Sequence, residues 1–518
     1  MPKRSCITKI AVLLCCFLGL GSQLVPAQSP QSDRAQEVIA ERQPVADLGD
    51  GVYRNPIVAG DYPDDSVVRV DRDYYMVHSV ALWRRMLVWH SRDLVNWEPY
   101  SIVPILVSGS VAAPDLSYSN GRFYLYLPIT HQGTETVWVT TAKSMKGSWS
   151  EPIDLGVRGS DPSVVIDAKG NRYLYIWGGR VVPLTADGLK VNGELTKVYS
   201  GWEYPSDWQV ECYCLESPKL IHHGNYFYLI SAQGGTAGPS TSHMASVARS
   251  SSPLGPWENS PYNPLVHTFS RSERWWSQGH AVLVDDVASN WWMIYHAVEN
   301  GYRSLGRQTL LMPIEWTSDG WPRIADQASP SGILHKPAGE NIGGGMPLSD
   351  NFDSPELGPQ WNYRNIADPQ AGVRSGDGAL HLLAGGSDVS DAPMLVVNPV
   401  NHVYEARVEV EVLDQAAAGL VLAAPESQAT GAILRKGELV MYVRGRRHLK
   451  LPWDGNRAFF KVMDDNHDIS VYYSQDGKQW KRFDFGIEVD GVAGVRVGLV
   501  ASGNGTAVFR HFDYQGLD

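Results

Sequence analysis

Apolar residues along this chain come in short runs, each ended by a polar turn and followed by a second, aromatic-rich run. Five stretches share this plan: "PDDSVVRVDRDYYMVHS" from Pro63, "APDLSYSNGRFYLYLPI" from Ala113, "SDPSVVIDAKGNRYLYIWG" from Ser160, "ESPKLIHHGNYFYLISA" from Glu216 and "GHAVLVDDVASNWWMIYHA" from Gly279. Each turn is built of Gly, Asn, Asp or Ser, as a hairpin requires. A second element recurs behind some of them, a Trp after a Ser- or Gly-containing bend: Trp97, Trp149 and Trp257. Paired strands at a period of about 50 residues are the mark of propeller blades. Helical periodicity is almost absent. Residues 51–325 therefore read as a five-bladed β-propeller.

The pattern then changes. Residues 326–348 are rich in Gly, Pro and Ser and have no period, so they read as a linker. From 349 to 518 short alternating runs return, among them "HVYEARVEVEVL", "GELVMYVRG" and "AGVRVGLVASG". Strict alternation predicts antiparallel strands with one buried face, here a β-sandwich. The fold class is all-β, a five-bladed β-propeller followed by a β-sandwich. Residues 1–27 have the form of a secretory signal: Lys3 and Arg4, the apolar run "IAVLLCCFLGLG", and "VPA" ending at Ala27. The run is too short for a comfortable membrane span, and no span is expected after cleavage. The expected location is periplasmic or secreted. Residues 28–50 form a polar N-terminal segment.

Three of the five cysteines fall inside the signal. Cys212 and Cys214 remain, too few for a disulfide framework. A bond between them would close a very small ring, so two thiols are expected. Stability must come from a large core. The net charge of −12 argues against a nucleic-acid partner. The 18 Trp and 24 Tyr, against 11 Phe, suit a carbohydrate, which presents both flat apolar faces and hydroxyls.

The first strand of each propeller blade lines the central channel. The residues opening the five repeats are Asp64, Asp115, Asp161, Glu216 and His280, and they are expected to converge at one end of the axis. Carboxyl groups gathered there raise one another's pKa, a device for acid catalysis. Asp61 reads as a turn residue near the rim. Asp65 points away from Asp64 by strand alternation, toward a structural hydrogen bond. Glu203 and Glu211 compete with Glu216, but Glu211 differs from it in side-chain parity. His296 reads as a satisfied core histidine.

At these residues the chain resembles glycoside hydrolase family 43. "NPIVAGDYPDDSVVRV" is similar to the family segment with the general base, here Asp64. "GSDPSVVID" resembles the segment with the carboxylate that tunes the acid, Asp161. "LESPKL" resembles the segment with the general acid, Glu216. "SQGHAVLVDD" and "LGRQTLLMPIEWTSDGWP" match the segments that bring His280 and Arg307 to the pocket. The chain departs from the pattern at Asp65, where proline is usual, at Ala112–Ala113, and in Gly-His-Ala for Gly-His-Gly. The C-terminal region resembles the concanavalin-like domain of exo-acting members, whose loop closes one side of the pocket, although an independent sugar-binding module fits as well.

The resemblance implies a secreted, exo-acting, inverting hydrolase that removes terminal α-L-arabinofuranosyl residues from plant polysaccharides or oligosaccharides. β-Xylosidase, exo-galactanase and a catalytically silent sugar-binding propeller are the alternatives. Inversion places the two carboxyl groups about 6.5–9.5 Å apart, with a water between. Trp83, Trp177, His280 and Arg307 are the candidate sugar contacts. No cofactor is required and no metal ligands are assigned. A calcium ion in the channel near His280 is compatible with the resemblance, without a dense run of oxygen ligands behind it.

Overall fold

The structure is a computed structural model, and it describes residues 42–80, 85–105, 107, 109–366, 368–424, 428–488 and 494–518. The signal expected at 1–27, most of segment 28–50, and Trp83 lie outside the described residues.

Five antiparallel sheets follow one another along the propeller half, each built of consecutive strands. Their first strands are Ser66–Val70, Asp115–Ser119, Ser163–Ile166, Glu216–His223 and Trp275–Asp285. Each contacts the next around the ring, and the fifth contacts the first. The aromatic-rich runs are the second strands, and Arg122–His131, Tyr226–Gln233 and Trp291–Glu299 are buried on both faces over most of their length. Of the three Trp residues in the repeated bends, Trp97 is buried and donates its indole N–H to the Leu94 carbonyl at 2.9 Å.

The ring is closed by the chain that enters it. Ile57 N–H donates to the Thr309 carbonyl at 2.9 Å, and Asn55 exchanges side-chain hydrogen bonds with Leu311 of blade five. That pairing lays Asp61 and Tyr62 beside Arg307 before blade one begins. The link between the halves is also strapped down. Ile333–His335 pairs with Val52–Arg54, Lys336 binds Asp47 and Asp93, and Ala338 N–H donates to Asp286.

The C-terminal half stacks two seven-stranded sheets among the described residues. Alternating burial in Val403–Val412 and Arg457–Asp465 matches the period of two read from the sequence. The sandwich grips the turn between the second and third strands of blade five. Tyr302 stacks on His402 with centroids 3.7 Å apart, His402 binds Glu299 at 3.0 Å, and Val495 N–H donates to the Ser304 carbonyl at 2.9 Å.

Candidate active site

One backbone feature recurs at the mouth of the channel. Asp64, Ala113, Asp161, Ser217 and His280 all have left-handed φ, at 65°, 48°, 54°, 47° and 58°. Each stands two residues before the point where regular pairing with the second strand starts or resumes, at Ser66, Asp115, Ser163, Lys219 and Val282. Such a conformation costs a non-glycine residue about 1–3 kcal/mol. Repeated in five blades, it swings one side chain per blade toward the axis, out of the pleat it would otherwise follow.

This register corrects the one read from the sequence. The blade-two residue at the mouth is Ala113, and Asp115 lies two positions deeper. There it pairs with Lys219 at 3.0 Å, both nearly inaccessible, so its charge is neutralised within the wall. In blade four the left-handed residue is Ser217, and Glu216 precedes it at an irregularity in the pairing. Glu216 thus stands one position before the left-handed residue of its blade, where Asp64 and Asp161 are themselves that residue.

Asp64 is buried in a cationic and hydrogen-bonding nest. Its Oδ1 lies 2.7 Å from the Arg307 guanidinium, 3.5 Å from His296 Nδ1 and 3.7 Å from His280 Nε2, and its Oδ2 accepts from the Ser79 hydroxyl. Burial disfavours the charged form, but Arg307, His280, His296 and Ser79 outweigh it and hold the carboxyl well below the usual range. The Asp64 N–H donates to His296 Nδ1 at 3.1 Å, which leaves the His296 proton on Nε2. His280 Nε2 bonds Asp161 Oδ1 at 3.2 Å and its Nδ1 bonds the Ser217 hydroxyl at 3.1 Å. Burial opposes its protonation, yet the charge of Asp64 and the bond to Asp161 raise its pKa.

Glu216 has the opposite surroundings. Burial first, then the negative charge of Asp161, push its carboxyl up to about 7, and only His280 and Arg307 oppose. The arrangement therefore holds one carboxylate ionised and a second carboxylic acid protonated near neutrality. A charge on Asp161 keeps that second proton in place.

The other expectations divide. His280 and Arg307 reach the site, but both ring nitrogens of His280 are taken by Asp161 and Ser217, so it aligns carboxyl groups where a sugar contact was expected. Arg307 lines the cavity beside Asp64. Trp177 is exposed, and its backbone N–H donates to the Ser160 carbonyl at 3.0 Å, in the residue before Asp161. Glu211 accepts from the N–H groups of Ala237 and Gly238, so it props that loop and does not compete with Glu216. Asp65, fully buried, bonds His78 Nε2 at 3.1 Å, as a structural aspartate should. Cys212 and Cys214 form a disulfide, against the expectation of two thiols. The segment before Glu216 is not a regular strand, and its bend brings the two Cα atoms to 5.2 Å, within ordinary bridging range.

His296 is not a satisfied core histidine. It stacks between His280 and His243, with centroids 5.4 Å from each, and its Nε2 has no partner among the described residues. Sequence reasoning passed over Ser79 and Glu135. His243 is fully buried, and burial first, then His280, push its pKa down to about 3. Gly279 makes room for its ring, since a Cβ there would collide with it. Glu135 stands near enough to Asp161 that burial, and secondarily that charge, raise its pKa. "YYMVHS", the end of the first repeat, held the signal for His78 and Ser79.

Asp64, His280 and His296 bring one potential ligand atom each within 4.8 Å of one another. Calcium takes about six to eight oxygens. Here two of three donors are imidazoles, and the carboxylate oxygen already faces Arg307. The set does not fit a resident calcium.

One carboxyl group held ionised and a second held protonated are the pair of groups that glycoside hydrolysis uses. Comparison with known proteins gives the family. Residues 53–322 match the model of glycosyl hydrolases family 43, and residues 349–515 that of the beta xylosidase C-terminal concanavalin A-like domain. The chain belongs to family 43. It is 29% identical to a non-reducing end α-L-arabinofuranosidase of Bacteroides ovatus, over 91% of this chain and 96% of that one. It is 33% identical to a xylan 1,3-β-xylosidase of a Vibrio species, over 54% of this chain and 58% of that one. The crystal structure of the family 43 protein BlXynB from Bacillus licheniformis superposes with a TM-score of 0.79 at 26% identity, covering 90% of this chain and all of that one.

Proposed function

We propose that the protein is an exo-acting, inverting α-L-arabinofuranosidase that acts on plant-derived polysaccharides or oligosaccharides. The opposed environments of Asp64 and Glu216 carry the reading. Asp64, ionised at all working pH, takes a proton from the attacking water. Glu216, protonated up to about pH 7, passes its proton to the leaving glycosidic oxygen. Asp161 keeps Glu216 protonated, and Arg307 and His280 hold Asp64 in place. Exo action is supported by the sandwich, which walls the cavity next to Asp64 with Asn362, Asn398 and Arg496. The arabinofuranosyl preference is supported by the Bacteroides relative, which aligns over nearly its whole length. The signal-like residues 1–27 support action outside the cytoplasm.

β-Xylosidase is the second reading. A xylan β-1,4-xylosidase from Bacillus halodurans superposes with a TM-score of 0.78 at 27% identity over 89% of this chain. Hydrolysis of nitrophenyl α-L-arabinofuranoside and nitrophenyl β-D-xyloside tests both. Faster turnover of the arabinoside is expected. Oligosaccharide binding with no hydrolysis of either would reject both sugars. NMR of the released sugar is expected to give the inverted anomer, and retention would reject the mechanism.

A further inference from the structure

The Asp61 carboxylate sits where the two halves of the molecule meet, and each of its oxygens serves a different half. Oδ1 accepts the backbone N–H of Arg307 at 2.8 Å, and Oδ2 accepts the guanidinium of Arg496, a sandwich residue, at 2.5 Å. Two glycines flank it, one from each half. Gly306, at φ 72°, lies so close that any Cβ would collide with the carboxylate, and a Cβ on Gly494, at φ 61°, would come 3.0 Å from Oδ2. Tyr62 N–H returns a bond to the Arg307 carbonyl at 3.0 Å, and Asn398 of the sandwich holds the Asp61 carbonyl at 3.0 Å. Gly494 N–H donates to the Arg303 carbonyl at 3.1 Å, on the turn leading to Arg307.

Arg307 is thus fixed at its backbone by a carboxylate that the sandwich holds, while its guanidinium meets Asp64 at 2.7 Å. Arg496 is about one-tenth exposed, and Asp61 is its carboxylate partner among the described residues. A nearly buried cation without its partner is costly, so the pair ties the two halves together at this point. We infer that Arg496 and Asp61 are positioning residues that set the approach of Arg307 to Asp64, so the sandwich domain acts on the reaction through this pair. The inference rests on Asp64 as the base.

The test uses the full chain and the nitrophenyl glycoside that the wild type hydrolyses. Arg496→Met is expected to lower kcat about tenfold to a hundredfold, with KM changed less than about threefold, because misplacement of a catalytic partner is felt mainly in the transition state. Arg496→Lys keeps the charge and should recover part of the loss. In an Arg307→Met background, Arg496→Met should cost nothing further, since a residue acting through another is not additive with it. If Arg496→Met does not fold, Asp61→Asn replaces it. The amide oxygen still receives the Arg307 N–H but the ion pair is gone, and the same loss of kcat is expected. An unaltered kcat in the folded variants, or an equal loss in both backgrounds, would overturn the inference while leaving the function intact. An inactive wild type would overturn the function and this inference with it.

Discussion

The two sides of the pocket hold the same functional group in opposite states. On the side of blades one and five, Asp64 faces Arg307, His280, His296 and Ser79. On the side of blade four, Glu216 faces burial and the charge of Asp161. Both groups are removed from water, and removal alone would raise both. What separates them is the sign of the neighbouring charges, which come from different blades. A base and an acid therefore need no different residue types. They need a ring that brings cations into contact with one carboxyl group and sets an anion beside the other.

The largest test removes the proposed base. Asp64→Asn is expected to lower kcat about ten-thousandfold or more, whatever the leaving group, because it removes the group that takes the proton from water. Glu216→Gln should cost about a hundredfold to ten-thousandfold on a natural arabinosyl linkage and far less on a nitrophenyl glycoside, whose leaving group needs little protonation. Equal losses on both substrates would end the assignment of Glu216 as acid. The comparison sharpens with pH. The alkaline limb of kcat/KM should fall as pH rises through about 7, where Glu216 loses its proton. Asp161→Asn removes the charge that sustains that proton and should move the limb about one unit lower.

Stability should show the same contrast. Glu216 has a folded pKa raised from 4.5 to about 7. Its contribution to folding is fully present below the unfolded value and is lost as pH rises through the folded one. The Tm of Glu216→Gln relative to wild type should therefore increase between pH 4.5 and 7. Asp64 behaves in reverse: its contribution is present above pH 3.8 and is lost as pH falls below that. The smallest effect on activity is expected at Asp65. Asp65→Ala strips His78 of its buried carboxylate partner, leaving the Thr309 hydroxyl at 3.3 Å, and should cost about 1–3 kcal/mol of stability, read by denaturant unfolding, with kcat unchanged.

The blades were legible because hairpins carry local marks: alternation, turn residues and a fixed period. The acid and base candidates were legible because acidic residues at strand starts repeat in step. The step itself was read one or two residues off at blades two and four. Asp115 looks like Asp161 in sequence, yet Lys219 claims it across the wall. A left-handed residue has no signature in a string of letters when it is Ala113 or Ser217. Cys212 and Cys214 were read as too close to bridge, because the bend of an irregular segment is not a property of its spacing.

What the sequence by itself determined is the all-β pattern, the five repeats, the alternating second half, and Asp64, Asp161 and Glu216 as the candidate carboxyl groups. These follow from interactions between near neighbours, which leave a periodic trace. Tertiary structure alone decided which carboxyl is charged, that His296 and His243 stack beside the base, that His280 binds carboxylates, and that Asp61 joins the sandwich to Arg307. Each of these depends on groups separated by tens to hundreds of residues, and electrostatic energy depends on distance in space. Only closure of the ring and docking of the sandwich set those distances.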